Sequence, residues 1–416
     1  MASRRFPIID SSLALLATGY SWLPSRWRRR SEPAVRARLM GTRTVALRGP
    51  EAISFVYDEH NVRRHDAVPG LVQDTLFGRG AVHTLDGAAH RARKAMFISM
   101  LTDPQRITSL VAQAESAWDD AVKSWTSRSQ VVLFDEASHI ITRAVCRWAG
   151  VPLLDGELDE RADDLVATVD GFATLAPRHW KARRARTRLE RWVGELVSAL
   201  REGRAPAEPG SVLDVVAQHR DLDSRPLDER TAAVEVLNVV RPTVAVSWYV
   251  SFAAHALHLW PDQRQELRTG GDEYAVAFAH ELRRFYPFAP FIGGKAVGDR
   301  EWQGVPIPEN AMVLLDLYGQ NHDAALFSEP YTFDPGRFLS RPVDRNVLVP
   351  QGGGDPATGH RCPGEDITIA LIAAFSRQLA ALDYDVPDQD LHIDPTRIPT
   401  RPASGFIMAD VGVAGS

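Results

Sequence analysis

Between Asp228 and Leu259 the chain carries a helical pattern that is apolar nearly all the way round. Its middle reads Val234-Glu235-Val236-Leu237-Asn238-Val239-Val240-Arg241-Pro242-Thr243-Val244-Ala245-Val246-Ser247-Trp248-Tyr249-Val250. A helix without a polar face has to run through the interior of a large fold, covered on every side. Two of its residues are out of place there. Arg241 puts a guanidinium in the interior, which is costly unless an anion meets it. Pro242 has no N–H and its ring clashes with the turn before it, so the helix is expected to kink or open at that point. A kink and a charge in one buried place point to a site that receives an anionic ligand. The alternative is a structural pair between Arg241 and an internal carboxylate such as Glu235, six residues away on a different face.

The rest of the chain suits such an interior. It has 416 residues, 44% hydrophobic and 24% charged, which is ordinary globular composition with length for a large core. The net charge of −5 gives no electrostatic case for nucleic acid. Helical periodicity recurs over Asp103 to Trp125, Glu157 to Thr174, His179 to Arg201, about Asp272 to Arg284, and after Gly364. Strand signals are short: Thr44 to Leu47, Val131 to Leu133 and Ala311 to Leu315. No linker-like segment divides the chain, so residues 1–416 are expected to form one large, mainly α domain with a small β portion. The N-terminal run Leu13-Ala14-Leu15-Leu16-Ala17 is far shorter than the roughly 20 residues of a spanning helix, so no transmembrane segment is expected. A first amphipathic helix is expected there, with Trp22, Trp27 and the following arginines able to touch a membrane surface.

There are two cysteines. Cys146 lies in the apolar run Ala144-Val145-Cys146-Arg147-Trp148 and reads as a buried small hydrophobe. Cys362 lies in Gly359-His360-Arg361-Cys362-Pro363-Gly364-Glu365, a loop that turns helical just beyond it. A helix N-terminus and nearby His and Arg favour a thiolate. Two chemistries fit: a soft iron ligand, or a nucleophile with His360 as its base. The glycines Gly352-Gly353-Gly354 match neither usual phosphate fingerprint.

Gly359 to Gly364 resembles the cysteine loop of the cytochrome P-450 superfamily. In order along the chain, Glu281-Leu282-Arg283-Arg284 resembles its Glu-x-x-Arg pair, and Phe333-Asp334-Pro335-Gly336-Arg337-Phe338 the segment whose arginine completes that network. The resemblance implies the P-450 fold, a haem b whose iron is held by Cys362, and structural roles for Glu281, Arg284 and Arg337. Two features depart from the superfamily. The glycine-rich stretch from Gln351 stands further upstream of the cysteine, and Arg241-Pro242 occupies the place of the acid that usually precedes an alcohol in the distal helix. Both departures resemble the bacterial fatty-acid peroxygenase branch. So do Phe77-Gly78 through His83, Asp86-Gly87, Pro177-Arg178-His179-Trp180 and Leu317 to Asp323, within a likeness running from about Pro7 to Met408.

This branch implies a fatty acid as substrate, hydrogen peroxide as oxidant, no obligatory redox partner and a place in a bacterial cytoplasm. Arg241, backed by Pro242, would bind the carboxylate, which supplies the acid–base function that the missing acid leaves vacant. Arg64, His90, Lys94 and His360 match residues near the haem propionates. Phe77, Phe172, Phe288 and Phe291 match the wall of the acyl channel. The position of His83 is glutamine in typical hydroxylating members and histidine in the well-known member that decarboxylates. Terminal alkenes are therefore expected, with α- and β-hydroxy acids beside them. The alternatives are hydroxylation alone, a monooxygenase served by redox partners, and a haem sensor without turnover.

Overall fold

The computed structural model describes residues 6–28, 32–172, 174 and 177–413. The apolar segment forms two consecutive helices, Glu229–Val244 and Val246–Leu259, which we call the distal helix and its continuation. Asp228 caps the first, its carboxylate accepting from the Thr231 N–H at 2.9 Å. From Ala232 to Val244 all residues but Pro242 are buried, as an all-apolar surface requires. The distal helix packs between Leu133–Ala149 and Pro177–Arg201. Its continuation packs on Leu133–Ala149 and on Glu365–Ala381, the helix that follows Cys362.

The break does not fall at Pro242. It falls at Ala245, one turn later. Pro242 loses only its own bond to Asn238. The Ala245 N–H still donates to the Arg241 carbonyl at 3.0 Å, and the Thr243 hydroxyl donates to the Val239 carbonyl at 2.8 Å, so the turn holding Arg241 stays helical.

The strands form small sheets beside this helical body. They are β1 (Val35–Leu39), β2 (Thr42–Leu47), β3 (Val62–Arg63), β4 (Gln130–Val132), β5 (Phe291–Ala296), β6 (Arg300–Trp302), β7 (Val305–Ile307), β8 (Met312–Asp316), β9 (Leu382–Asp385) and β10 (Ile407–Val413). The main sheet has the order β1-β2-β8-β5-β3, with β2 and β8 parallel and the other pairs antiparallel. Leu133, expected in a strand, instead opens a helix, its N–H turning to the Phe406 carbonyl.

The N-terminal expectation is corrected in part. Ser12–Thr18 is a short helix, but Trp22 is fully buried and the Trp27 indole N–H donates to Asp316 at 2.8 Å. Neither ring is free for a membrane surface. Among the described residues no helix is long and apolar enough to cross a membrane.

Candidate active site

Cys362 sits at the end of a braced loop. Its N–H donates to the Gln351 carbonyl at 3.2 Å, and the Gln351 side-chain amide reaches its sulfur at 3.6 Å. The buried Arg361 beside it forks onto Glu365, with Nε to Oε2 at 2.6 Å and Nη2 to Oε1 at 2.9 Å. Gly352 has φ +94°, and a Cβ there would lie 2.3 Å from the Tyr57 hydroxyl. Only glycine fits that turn. Burial pushes the Cys362 thiol up, against the pull of the Gly364 N–H, Lys94 and Gln351. The polar setting read from sequence therefore does not make a free thiolate by itself. A thiolate in this place is favoured by a cation bound to it. His360 does not act as its base, because that ring stacks on His90 at 3.8 Å and points Nε2 toward Asp86 at 3.7 Å.

Beside the loop lies a buried cationic cradle. His90 and Lys94 stand one turn apart on the helix Gly87–Leu101, and Lys94 Nζ donates to the Arg361 carbonyl at 2.6 Å. Arg64 is buried under Tyr57, its Cζ 5.4 Å from the ring centre, and neither Nη1 nor Nη2 has a partner. His90 Nδ1 also lacks a hydrogen-bond partner. Burial lowers the Lys94 pKa to about 8 and that of His90, with the His360 charge adding, to about 3. Four donor side chains, two of them cations, with orphaned N–H groups next to a buried thiol, match a flat group with two carboxylates and a metal. That is the chemistry of haem.

On the facing side stands Arg241, its side chain nearly enclosed. Nη2 donates to Asn238 Oδ1 at 3.3 Å, Nε has no partner, and Cζ lies 5.9 Å from the Phe77 ring centre. Burial, then the like charge of Arg186, lowers its pKa to about 9, so it stays cationic at neutral pH. It does not pair with Glu235. That carboxylate is taken by Arg93 Nη1 at 2.7 Å, the Val82 N–H at 2.8 Å and Asn238 Nδ2 at 3.0 Å. His83 lies in the turn Val82–Thr84, its ring 4.3 Å from Phe77 and its Nδ1 without a partner. Burial, then Arg241, holds the imidazole well below its ordinary pKa of 6.5, so it is neutral. Arg186, reaching from Pro177–Arg201, donates to the carbonyls of Leu76 and Phe77 at 3.1 and 3.3 Å and fixes the Phe77 turn.

The structure therefore brings His83, Phe77 and Arg241 together, and gathers Arg64, His90, Lys94 and His360 near Cys362. The other aromatics are placed differently. Phe288 packs on Tyr249 and Trp248 at 5.4 and 6.2 Å, Phe291 meets Trp22 at 6.4 Å in the sheet cluster, and Phe172 is half-buried just after Leu158–Asp170. Glu281, Arg284 and Arg337 form a buried network: Glu281 accepts from Arg284 at 2.7 Å and Arg337 at 3.4 Å, and the arginines hold the carbonyls of Asn321, Pro330, Thr332, Ser328 and Glu329. Sequence reasoning missed Asn238, Arg93, Arg186 and Gln351. Asn238 carried a visible signal, a lone carboxamide in an all-apolar helix.

The family model described as Cytochrome P450 matches residues 273–375. Among curated proteins, beta-amyrin 28-monooxygenase of Medicago truncatula is 21% identical over 95% of this chain and 89% of its own. Solved structures are much nearer. Cytochrome P450SP alpha (CYP152B1) in complex with (R)-ibuprophen is 42% identical, with TM-score 0.95 over 98% of this chain and 100% of that one. Cytochrome P450EX alpha (CYP152N1) with myristic acid is 36% identical, with TM-score 0.92 over 98% of each chain. A variant of cytochrome P450 OleT with arachidonic acid is 32% identical, with TM-score 0.95 over 99% and 98%. With its cysteine loop, cationic cradle and distal arginine, this chain belongs to the cytochrome P450 family, among the CYP152 fatty-acid peroxygenases, and its haem iron is held by the Cys362 thiolate.

Proposed function

We propose that the protein uses hydrogen peroxide to oxidise long-chain fatty acids at the carboxylate end, giving terminal alkenes by oxidative decarboxylation together with α- and β-hydroxy acids. The observation that carries this reading is the buried Arg241 guanidinium, cationic and met by no carboxylate among the described residues. An acyl carboxylate supplies the missing anion through a charge-assisted pair that fixes both position and orientation. Such pairing places the first carbons of the chain, and not its far end, at the reacting centre. When bound, haem supplies the oxidising iron, made electron-rich by the Cys362 thiolate. Arg64, His90, Lys94 and His360 would hold its propionates. Phe77 packs beside the carboxylate, with Phe172, Phe288 and Phe291 proposed along the acyl chain and Pro242 behind Arg241.

The substrate's own carboxylate serves as acid and base. The Thr243 hydroxyl cannot take that part, since it is spent on the Val239 carbonyl at 2.8 Å. His83 is neutral with a free Nδ1, so it can donate or accept one hydrogen bond at the carboxylate while that group is oxidised. In the decarboxylation, one fatty acid and one peroxide give the alkene one carbon shorter, carbon dioxide and two waters. In the hydroxylation they give the hydroxy acid and one water. No redox partner is required in either, and we place the reaction in a bacterial cytoplasm.

The test is product analysis after mixing palmitate and peroxide without any reductase. The expected products are the shorter terminal alkene and the two hydroxy acids. Hydroxy acids alone would remove the decarboxylase half and leave the purely hydroxylating enzyme. Turnover only with an added reductase would overturn the peroxygenase reading.

A further inference from the structure

Glu235, Asn238 and Arg241 recur every third residue along the distal helix, and all three are buried. They form a directed chain. Arg241 Nη2 donates to Asn238 Oδ1 at 3.3 Å, and Asn238 Nδ2 donates to Glu235 Oε2 at 3.0 Å. The other Glu235 oxygen accepts from Arg93 Nη1 at 2.7 Å and from the Val82 N–H at 2.8 Å. Val82 is the residue before His83. Arg93 also donates to the Gly80 carbonyl at 3.4 Å and pairs with Asp221. One carboxylate thus braces both the turn that carries His83 and the arginine that faces it.

The chemistry of each link explains its residue type. A carboxylate only accepts, so Glu235 obliges the Asn238 amide to present its NH2 group. The amide oxygen is then left to face Arg241. Asn238 passes on orientation without passing on charge, because the Glu235 charge is already matched by Arg93. A carboxylate at position 238 would satisfy Arg241 from within and compete with any anionic ligand. An apolar residue would leave the guanidinium unheld.

We propose that Asn238 and Glu235 are positioning residues: Asn238 aims the Arg241 guanidinium while keeping it free of internal charge, and Glu235 fixes the register between Arg241 and His83. This rests on Arg241 being the anchor for the substrate carboxylate. The product spectrum follows from that register, since the anchor and the imidazole grip the same end of the acyl chain.

The holoenzyme and its Asn238→Asp, Asn238→Leu, Glu235→Gln and Arg241→Ala variants are compared by calorimetric binding of palmitate and of hexadecanol, which has the same chain and no charge. Asn238→Asp is expected to weaken palmitate by about tenfold to a hundredfold, the range for a hydrogen-bonded charge, and to leave hexadecanol unchanged. Asn238→Leu, which leaves Arg241 charged but unaimed, should weaken palmitate several-fold, roughly the net worth of one ordinary hydrogen bond, and Asn238→Leu and Glu235→Gln should both shift the α-to-β ratio of the hydroxy acids. Equal weakening of both ligands would mark a merely structural role and overturn the proposal. So would unaltered palmitate binding and product ratio in all three variants while Arg241→Ala abolishes the preference for palmitate. If Arg241→Ala itself keeps that preference, the carboxylate anchor fails, and this proposal with it.

Discussion

Arg241→Leu should make the substrate-free protein more stable while removing its affinity for fatty acids. The guanidinium is buried, and among the described residues it holds one hydrogen bond, at 3.3 Å, and leaves Nε without a partner. Lowering its pKa from 12.5 to about 9 weighs against the charged form by roughly 5 kcal/mol, at about 1.4 kcal/mol per pH unit. Hydration of the pocket and the anionic groups of bound haem screen much of this, leaving about 2 kcal/mol to be gained by removing the charge. For a chain of this size that corresponds to a rise in Tm of about 2 °C. The assay is thermal unfolding of holoenzyme with and without saturating palmitate. Wild type should gain stability from palmitate by mass action, about 2.7 kcal/mol at a hundredfold excess over Kd, and the variant should gain little. A lower Tm for the substrate-free variant would refute the reasoning, because it would mean that Arg241 holds the fold together and is not waiting for an anion.

Four other outcomes follow from the structure. His83 is neutral throughout, so the alkene share of the products should stay flat from about pH 6 to 8, and a sigmoid centred near pH 6.5 would show a titrating imidazole instead; His83→Gln should cut the alkene share by several-fold in the same product assay. Gly352→Ala, which forces a Cβ to within 2.3 Å of the Tyr57 hydroxyl at a φ of +94°, should cost about 2 kcal/mol and release haem faster, read by Tm and by transfer of haem to an acceptor protein. Burial raises the Asp316 pKa from 3.8 to about 6, so the proton binds more tightly to the folded than to the unfolded chain; wild type should lose roughly 3 kcal/mol relative to Asp316→Asn as pH climbs from about 4 to 7, measured by chemical denaturation at several pH values.

What could be read from the chain is what is local. The Cys362 loop, the Glu281 and Arg284 pair and the Arg337 segment declare themselves in short runs, and Arg241 stands out because a charge in an apolar helix has few explanations. The helix Gly87–Leu101 was invisible for the opposite reason. Its buried face includes His90, Arg93 and Lys94, so apolar periodicity, the main signal of a helix, is absent where haem and Glu235 are to be met. Leu133 looked like strand because Val131 and Val132 precede it, and only its bond to Phe406 shows the chain turning into a helix. The pairing of β2 with β8 joins segments far apart in the chain, and no local pattern encodes it. The contact of Trp22 and Trp27 with a membrane surface, open from the sequence, is closed by partners distant in the chain, Phe291 for Trp22 and Asp316 for Trp27.

The same distinction explains why a neighbouring acid does not silence Arg241. Reading along the helix, Glu235 is the obvious candidate to neutralise it. In three dimensions Arg93 takes that carboxylate first, with a 2.7 Å bond from Nη1, and the neutral Asn238 stands between Glu235 and Arg241. Arg93, in turn, sits between two acids, Glu235 and Asp221. Asp221, partly exposed, and the buried Glu235 are both taken by Arg93, so the positive charge at Arg241 faces the pocket with no ion-pair partner among the described residues. A buried charge left without an ion partner is costly until an anion reaches it. That cost is what the proposed pairing with a substrate carboxylate would relieve, through a charge-assisted hydrogen bond at the one end of the row that no internal acid reaches.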